Sequence, residues 1–280
     1  MNRILKIGID FLLLAAPALT ALMMNLYVDP FQRGLFCDDE SIRYPFRDDT
    51  ISTLTIALVG GIFGVSLIII VETVLKASND SFYTNDSRGI MVYKWKISPY
   101  IQNLYHFIGL LLFSMSINQF ITDGTKFAVG RLRPHYIDLC RPRIGSFPGA
   151  ITTCDDPENH NRYIQNFSCS SGASLTSLKN GRLSFPSGHT SFAFVVAVYC
   201  VFYLESRMKY SGSKLLKHFI QFCIICGAIY TGLSRISDYK HHYTDVLAGL
   251  ILGSVISYVV CFHISKLFKR DRYFDGGPDV

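Results

Sequence analysis

Residues 243–266 read YTDVLAGLILGSVISYVVCFHISK, a run with no charged side chain between Asp245 and Lys266. An apolar run of this length crosses a hydrocarbon core of about 30 Å as a helix. Five more such runs precede it, at roughly 7–28, 51–75, 100–122, 187–205 and 215–234. The sequence therefore predicts an all-α fold, a polytopic membrane protein with six transmembrane helices.

The composition excludes a soluble enzyme with a large apolar core. Of the 280 residues, 49% are hydrophobic and only 17% are charged, and the mean hydropathy is +0.27. A soluble domain carries charge on about a quarter of its residues. We expect the whole chain, 1–280, to form a single integral membrane domain.

The first span has a second interpretation, since Arg3 and Lys6 followed by apolar residues also begin a cleaved signal peptide. The apolar run continues through Leu26 without a clean A-x-A cleavage site, which favours a retained signal anchor. Either way, residues 29–50 lie on the same outer side of the membrane.

Basic residues near the helix ends predict the orientation. The raw count is similar on both sides, but several outer cations belong to the motifs described below. When those cations are set aside, basic residues are in excess on the cytoplasmic side, most clearly in the 206–214 loop and the C-terminal stretch. We expect the N- and C-termini in the cytoplasm.

The longest outer segment, 135–185, contains the N-glycosylation acceptor Asn166-Phe167-Ser168, which fits a lumenal or extracellular face. Similar triplets at Asn79 and Asn85 lie in a loop that we expect inside, and we interpret them as chance matches.

Four cysteines lie in the predicted outer segments, where an oxidising environment permits disulfides. Cys154 with Cys169 would close a short loop, but the sequence leaves the pairing open. The set is Cys37, Cys140, Cys154 and Cys169.

Three short motifs indicate a phosphate-handling site. They are Lys126-x6-Arg133-Pro134, then Pro186-Ser187-Gly188-His189, then Ser234-Arg235-x5-His241-x3-Asp245. With six spans and a cytoplasmic N-terminus, all three motifs fall at the outer membrane face. They are therefore expected to converge there.

The motif cations suit phosphate oxygens, and arginine can bind them with two parallel hydrogen bonds. These cations are Lys126, Arg133 and Arg235; we interpret Arg131 instead as a cation that reaches toward lipid head groups. Ser187 and Gly188 open the fourth span, where free backbone N–H groups and the helix dipole favour an anion.

His189 and His241 are the expected reactive pair. Asp245 follows His241 by four residues, on the same helical face if the sixth span begins there. A carboxylate that accepts one ring N–H aims the other nitrogen, which prepares an imidazole nucleophile. His242 can also reach Asp245, but we favour His241.

These motifs resemble those of the type 2 phosphatidic acid phosphatase superfamily, which also includes vanadium haloperoxidases and glucose-6-phosphatase. The stretches 126–134 and 232–245 are similar to those of animal lipid phosphate phosphohydrolases. The resemblance implies His241 as nucleophile, His189 as general acid and Asp245 as orienting carboxylate. It implies a phosphate cradle formed by Lys126, Arg133, Ser187, Gly188 and Arg235.

The implied reaction is metal-independent dephosphorylation of lipid phosphate monoesters through a phosphohistidine, without a cofactor. The implied substrates are phosphatidic acid, lysophosphatidic acid, sphingosine 1-phosphate and ceramide 1-phosphate, taken from the bilayer at the plasma membrane with the site extracellular. No nucleic-acid partner is implied.

Two alternatives stay open at this point. One is a phosphotransferase that uses the same histidines, and the other is a catalytically silent lipid-binding or transport protein. The sequence also leaves open the preferred lipid, the membrane of residence, regulation and the oligomeric state. Gly60-x3-Gly64 and Gly249-x3-Gly253 permit close helix approach, and we expect them to serve packing within the monomer.

Overall fold

A computed structural model describes residues 3–78, 90–92, 95–145, 151–208, 214–265 and 267–268. Within these residues, six helices are long and apolar enough to cross a membrane, which confirms the predicted fold class. Asn79 and Asn85 lie outside the described residues, as does much of the basic C-terminal stretch. The helices are α1 (Arg3–Tyr27), α2 (Thr53–Ala77), α3 (Pro99–Val129), α6 (Gly188–Arg207), α7 (Lys214–Ser237) and α8 (Tyr243–Val259, continued by a π-helical turn at Val260–Ile264).

Helix α6 lies at the centre of the bundle. It packs against α2, α3, α7 and α8, whereas α1 packs against α3 from outside. The main core cluster includes Ile68, Leu111, Val195 and Tyr199, all at most 1% exposed. The central position of α6 places its first turn among the ends of several other helices.

Two glycines bring α8 unusually close to α6. A Cβ on Gly249 would lie 2.6 Å from the Ser187 carbonyl oxygen, and one on Gly253 would overlap the Ser191 carbonyl. Gly60 and Gly64 likewise receive side chains of neighbouring helices. Both glycine pairs therefore serve packing within the monomer, and the first turns of α6 and α8 lie side by side.

Helix α3 is longer than predicted. Its helical backbone continues past residue 122 to Val129 and ends at Gly130, which has a left-handed φ of 56°. A side chain there would run into the Phe31 carbonyl, so glycine suits both the conformation and the space. As a result, Lys126 projects from the last turn of a helix and not from the loop that follows.

Segments outside the long helices form small sheets that the sequence did not predict. One sheet pairs β1 with β6, a second pairs β2 with β3, and a third has the order β5-β4-β7. Two short helices, α4 (Tyr136–Cys140) and α5 (Leu175–Asn180), accompany them. The strands are β1 (Leu35–Phe36), β2 (Ile90–Val92), β3 (Trp95–Ile97), β4 (Pro142–Ile144), β5 (Thr152–Thr153), β6 (Tyr163–Ile164) and β7 (Phe167–Cys169).

The four cysteines that the sequence predicts to lie outside are all paired, and Cys154 does not pair with Cys169. Cys37 bonds to Cys154, and Cys140 bonds to Cys169. The physical reason is the strand pairing: β1 lies on β6, and Pro142 of β4 lies opposite Cys169 of β7. Asn166 lies exposed between β6 and β7, and its glycosylation stays a prediction.

Candidate active site

The three motifs meet at one end of the bundle. Backbone hydrogen bonds join them: Ser187 N–H donates to the Asp245 carbonyl at 3.0 Å, and Ser184 N–H to the Arg131 carbonyl at 3.0 Å. The turn between α7 and α8 folds back so that His241 N–H donates to the Arg235 carbonyl at 3.2 Å. The predicted convergence of the motifs is therefore present, while the membrane face on which they lie stays a prediction.

His241 is a buried, neutral imidazole with one nitrogen committed. Its Nδ1–H donates to the Ser184 carbonyl oxygen at 2.7 Å, and the residue is only 3% exposed. The lone pair is therefore on Nε2. Burial lowers the pKa of His241 to about 3, and the nearby charges of Arg133 and Lys126 lower it further against the opposing effect of Asp245. At neutral pH the ring is thus unprotonated and has a free nitrogen for attack.

Asp245 does not accept the expected hydrogen bond from His241, since its Oδ2 lies 3.8 Å from His241 Nδ1. The same oxygen instead accepts from the Ser184 hydroxyl at 2.6 Å and from His242, through N–H at 3.0 Å and Nδ1–H at 3.1 Å. Ser184 thus donates to Asp245 with its hydroxyl and accepts from His241 with its carbonyl. The carboxylate acts on the His241 ring through Ser184.

Arg131 belongs to the site, although the sequence suggested a head-group contact. Its Nη1 donates to Asp245 Oδ1 at 2.6 Å and to the Thr244 hydroxyl at 2.8 Å. Asp245 is fully buried, so this charge pair balances a carboxylate that has no access to water. The sequence signal for this role of Arg131 was its position two residues before the motif residue Arg133.

Lys126 lies directly over the first turn of α6. A Cβ on Gly188 would come within 2.8 Å of the Lys126 ammonium nitrogen, so the absence of a side chain makes room for the cation. Asp123, one turn earlier on α3, faces the ammonium at 3.8 Å and accepts from Asn25 and Gln119, each at 2.7 Å. The ammonium is therefore held above the backbone N–H groups that open the helix.

Ser187 is the N-cap of α6. Its hydroxyl oxygen accepts from the Thr190 hydroxyl at 2.9 Å, and the residue is fully buried. The free N–H groups of the first turn and the positive end of the helix dipole face the same space as Lys126. This combination is suited to an oxyanion.

Arg133 is a cation with unused hydrogen-bonding capacity. Its Nε is buried and has no hydrogen-bond partner among the described residues. Burial lowers the pKa of Arg133 to about 10. The negative charges of Asp49 and Asp245 raise this pKa, and the positive charge of Arg235 lowers it. The guanidinium stays charged at neutral pH, and its unpartnered donor suits an incoming anion.

Arg235 is fully buried and held by two carboxylates that sequence reasoning missed. Its Nη1 donates to Asp49 Oδ1 at 2.9 Å and its Nη2 to Asp238 Oδ2 at 2.6 Å. Asp238 follows Arg235 by three residues, just past the end of α7, and this spacing is a local signal in the sequence. Asp49 comes from the connection between α1 and α2, and no local spacing links it to Arg235.

His189 stands in the first turn of α6 with its ring also bound to a backbone carbonyl. Its Nε2–H donates to the Ile51 oxygen at 3.1 Å, so the neutral ring carries its lone pair on Nδ1. His135 is anchored in the same manner, donating from Nδ1 to the Tyr239 carbonyl at 2.7 Å. Of these two rings, only His189 belongs to a phosphate motif.

The described residues contain no group of three or more histidine, cysteine, aspartate or glutamate side chains placed to hold a metal ion. The expectation of a metal-independent reaction stays a prediction, to be tested with a chelator.

Fold and site together define a class: an integral membrane helical bundle with a buried histidine and a cluster of cations beside a helix N-terminus at one end. The sequence model of the PAP2 superfamily matches residues 107–269. The chain belongs to this superfamily.

Named relatives cover almost the whole chain. A Drosophila melanogaster protein named "Putative phosphatidate phosphatase" is 41% identical over 274 residues, which are 96% of this chain and 71% of the relative. Phospholipid phosphatase 1 of Rattus norvegicus is 37% identical over 95% of this chain and 87% of its own length. Phospholipid phosphatase 2 of Bos taurus is 32% identical over 93% and 83%, respectively. No solved structure matches the chain.

Proposed function

We propose that this protein dephosphorylates lipid phosphate monoesters, without a metal ion, through a phosphohistidine on His241. The observation that carries the proposal is the state of His241: a neutral ring with Nδ1 fixed by Ser184 and Nε2 free, close enough to Arg133 and Lys126 for both charges to lower its pKa. A nucleophile beside anion-binding cations suits attack on phosphorus.

In the first step, His241 Nε2 attacks phosphorus in line, and the P–O bond to the lipid alcohol breaks. The negative charge on the equatorial oxygens is stabilised by Lys126, Arg133, Arg235 and the first turn of α6. Such stabilisation is the main contribution of the protein in phosphoryl transfer. His189, protonated once the dianion is bound, delivers a proton to the leaving alkoxide.

The attack places a positive charge on the His241 imidazole, and Asp245 lies 3.8 Å from its Nδ1. A buried carboxylate at that distance stabilises the charged ring, while the Ser184 carbonyl keeps its orientation. We assign Asp245 to this role, with Arg131 as its counter-charge.

In the second step, neutral His189 takes a proton from water, and the hydroxide attacks phosphorus. The P–N bond breaks, inorganic phosphate leaves, and His241 returns to its neutral form. The same residue serves as acid and then as base, as two opposite proton transfers at one site require.

The substrates are lipids with a terminal phosphate: phosphatidic acid, lysophosphatidic acid, sphingosine 1-phosphate and ceramide 1-phosphate. The names of the relatives and the six apolar helices support this class. With N- and C-termini in the cytoplasm, the site faces the extracellular or lumenal side, and we propose the plasma membrane as its location.

The experiment is trapping of the phosphoprotein from detergent micelles by denaturation at alkaline pH, since phosphohistidine is stable to base and labile to acid. Wild-type protein should label from both phosphatidic acid and a nitrophenyl phosphate, and His241→Ala should not label. His189→Ala should lose about 10²–10⁴-fold in rate with the poor alkoxide leaving group. With nitrophenyl phosphate, the same variant should accumulate phosphohistidine because the second step lacks its base.

His242→Ala is the matched control, since His242 adjoins His241 and donates to Asp245 itself. It should still label. Label in His241→Ala, or label mapped to His242 in the wild type, contradicts the assignment. Adding a second alcohol distinguishes hydrolysis from phosphotransfer: release of inorganic phosphate supports the phosphatase, and a phosphorylated acceptor supports the transferase. Failure to label or turn over any phosphate ester leaves only the silent lipid-binding protein.

A further inference from the structure

A segment of the α1–α2 connection, residues 44–52, crosses the site end of the bundle. We call it the strap. It lies outside the residues that the family model matches, 107–269. Its first part is anchored beside α4: Tyr44 N–H donates to the Pro134 carbonyl at 2.9 Å, and Phe46 N–H to Asp138 Oδ2 at 2.9 Å.

The second part of the strap is anchored on Asp238, at the end of α7. Thr50 donates twice to this carboxylate, from N–H to Oδ2 at 2.8 Å and from its hydroxyl to Oδ1 at 2.7 Å. Asp238 is only 6% exposed, and its Oδ2 also accepts from Arg235. Asp49 contacts the same guanidinium from the strap side. Thr50 is thus fastened to the carboxylate that holds a phosphate-binding arginine.

The residue after Thr50 reaches the acid–base histidine. The Ile51 carbonyl accepts from His189 Nε2–H at 3.1 Å. A ring hydrogen bond to a fixed acceptor sets both the tautomer and the orientation of an imidazole. No other hydrogen bond to the His189 ring is formed within the described residues.

We infer that the strap is the positioning element of His189: the Thr50–Asp238 hydrogen bonds fix the Ile51 carbonyl, and this carbonyl aims His189 Nδ1 at the leaving group and at water. The inference rests on the proposed function. It gives Thr50 a role in proton transfer without contact to substrate, and it couples the acid–base histidine to Arg235 through Asp238.

The test is Thr50→Val, which removes the hydroxyl and keeps the shape of the side chain. A misoriented His189 ring should lower kcat for phosphatidic acid about tenfold, which is part of the full general-acid effect of about 10²–10⁴-fold. With a nitrophenyl phosphate, whose leaving group needs no proton, formation of the phosphoenzyme should change less than about twofold. Thr50→Ser should restore the rate, and Thr20→Val on exposed α1 is the control for the same chemical change.

Equal losses with the two substrates, or an unchanged kcat for phosphatidic acid in the folded variant, would overturn the inference. In a His189→Ala background, Thr50→Val should have almost no further effect, because coupled residues do not act additively; a full additional loss there also contradicts it. If Thr50→Val elutes as aggregate, Thr50→Ala removes the same hydroxyl with less bulk. A wild-type protein that forms no phosphoenzyme refutes the proposed function instead, whatever the variants do.

Discussion

Gly188→Ala tests whether the space above the first turn of α6 belongs to the Lys126 ammonium. The added Cβ would lie 2.8 Å from Lys126 Nζ, 3.6 Å from its Cε and 3.6 Å from Thr122 Cγ2. Only the ammonium is too close, and it terminates a flexible side chain. We therefore expect the fold to survive and the cation to move.

The displacement sets the size of the effect. An ordinary contact begins at 3.4 Å, so the ammonium must retreat by about 0.6 Å. At an effective dielectric constant of about 20, moving a unit charge from roughly 3.0 to 3.6 Å from a phosphate dianion weakens the attraction by about 1–2 kcal/mol. If this attraction acts in the transition state, kcat/KM should fall roughly 5- to 30-fold.

The assay compares kcat/KM for phosphatidic acid and the inhibition constant of orthovanadate between wild type and variant, with the thermal midpoint as the measure of folding. Both activity measures should weaken together while the midpoint stays close to that of the wild type. Gly109→Ala is the control, since no atom lies within 4 Å of a Cβ at that helical position. Unchanged kcat/KM in folded Gly188→Ala would refute the placement of Lys126 in the phosphate cradle.

The metal independence of the reaction, the buried histidines and the membrane topology can each be tested. Hydrolysis of phosphatidic acid should persist in excess EDTA and be inhibited by orthovanadate; loss on chelation with recovery in Mg²⁺ contradicts the metal-independent reaction. Burial lowers the pKa of His241 to about 3 and of His135 to about 4, from 6.5, so stability is full above about pH 6.5. The free energy of unfolding should fall toward pH 4 by at most about 1.4 kcal/mol per pH unit for each histidine. The thermal midpoint should drop over this pH range, and it should drop less steeply in His135→Asn. A thermal midpoint that does not change with pH contradicts both pKa shifts. Glycosidase treatment and cysteine labelling should place Asn166 outside and residues 76–99 inside; a glycan on Asn79 inverts that loop.

The transmembrane helices were predictable because the membrane makes them a local property of the sequence. In hydrocarbon, each span must satisfy its backbone hydrogen bonds internally, so a long apolar run is already a helix. The prediction missed the last seven residues of α3, where Asp123, Thr125 and Lys126 interrupt the apolar run before the helix ends at Gly130. Hydropathy does not predict this extension, because a helix that has left the hydrocarbon core need not be apolar.

The predicted hydrogen bond between His241 and Asp245 is absent because helical periodicity does not extend to His241. The i,i+4 argument assumed that His241 is helical, but α8 begins at Tyr243 and His241 lies in the turn before it. Asp245 is the third helical residue, and its carboxylate turns back to cap the His242 N–H. The orientation of His241 is therefore set by Ser184, 57 residues away in the chain.

The amino-acid sequence by itself determined the six spans, the order of the motifs and the residue types that a phosphate site needs, because each depends on composition or short spacing. Tertiary structure decided which groups hold the site together. Arg131 reaches Asp245, Asp49 reaches Arg235 across a separation of 186 residues, and Cys37 bonds to Cys154 across 117. Such pairs form because helices packed around α6 bring distant segments to one end of the bundle, and no local pattern in the chain encodes that proximity.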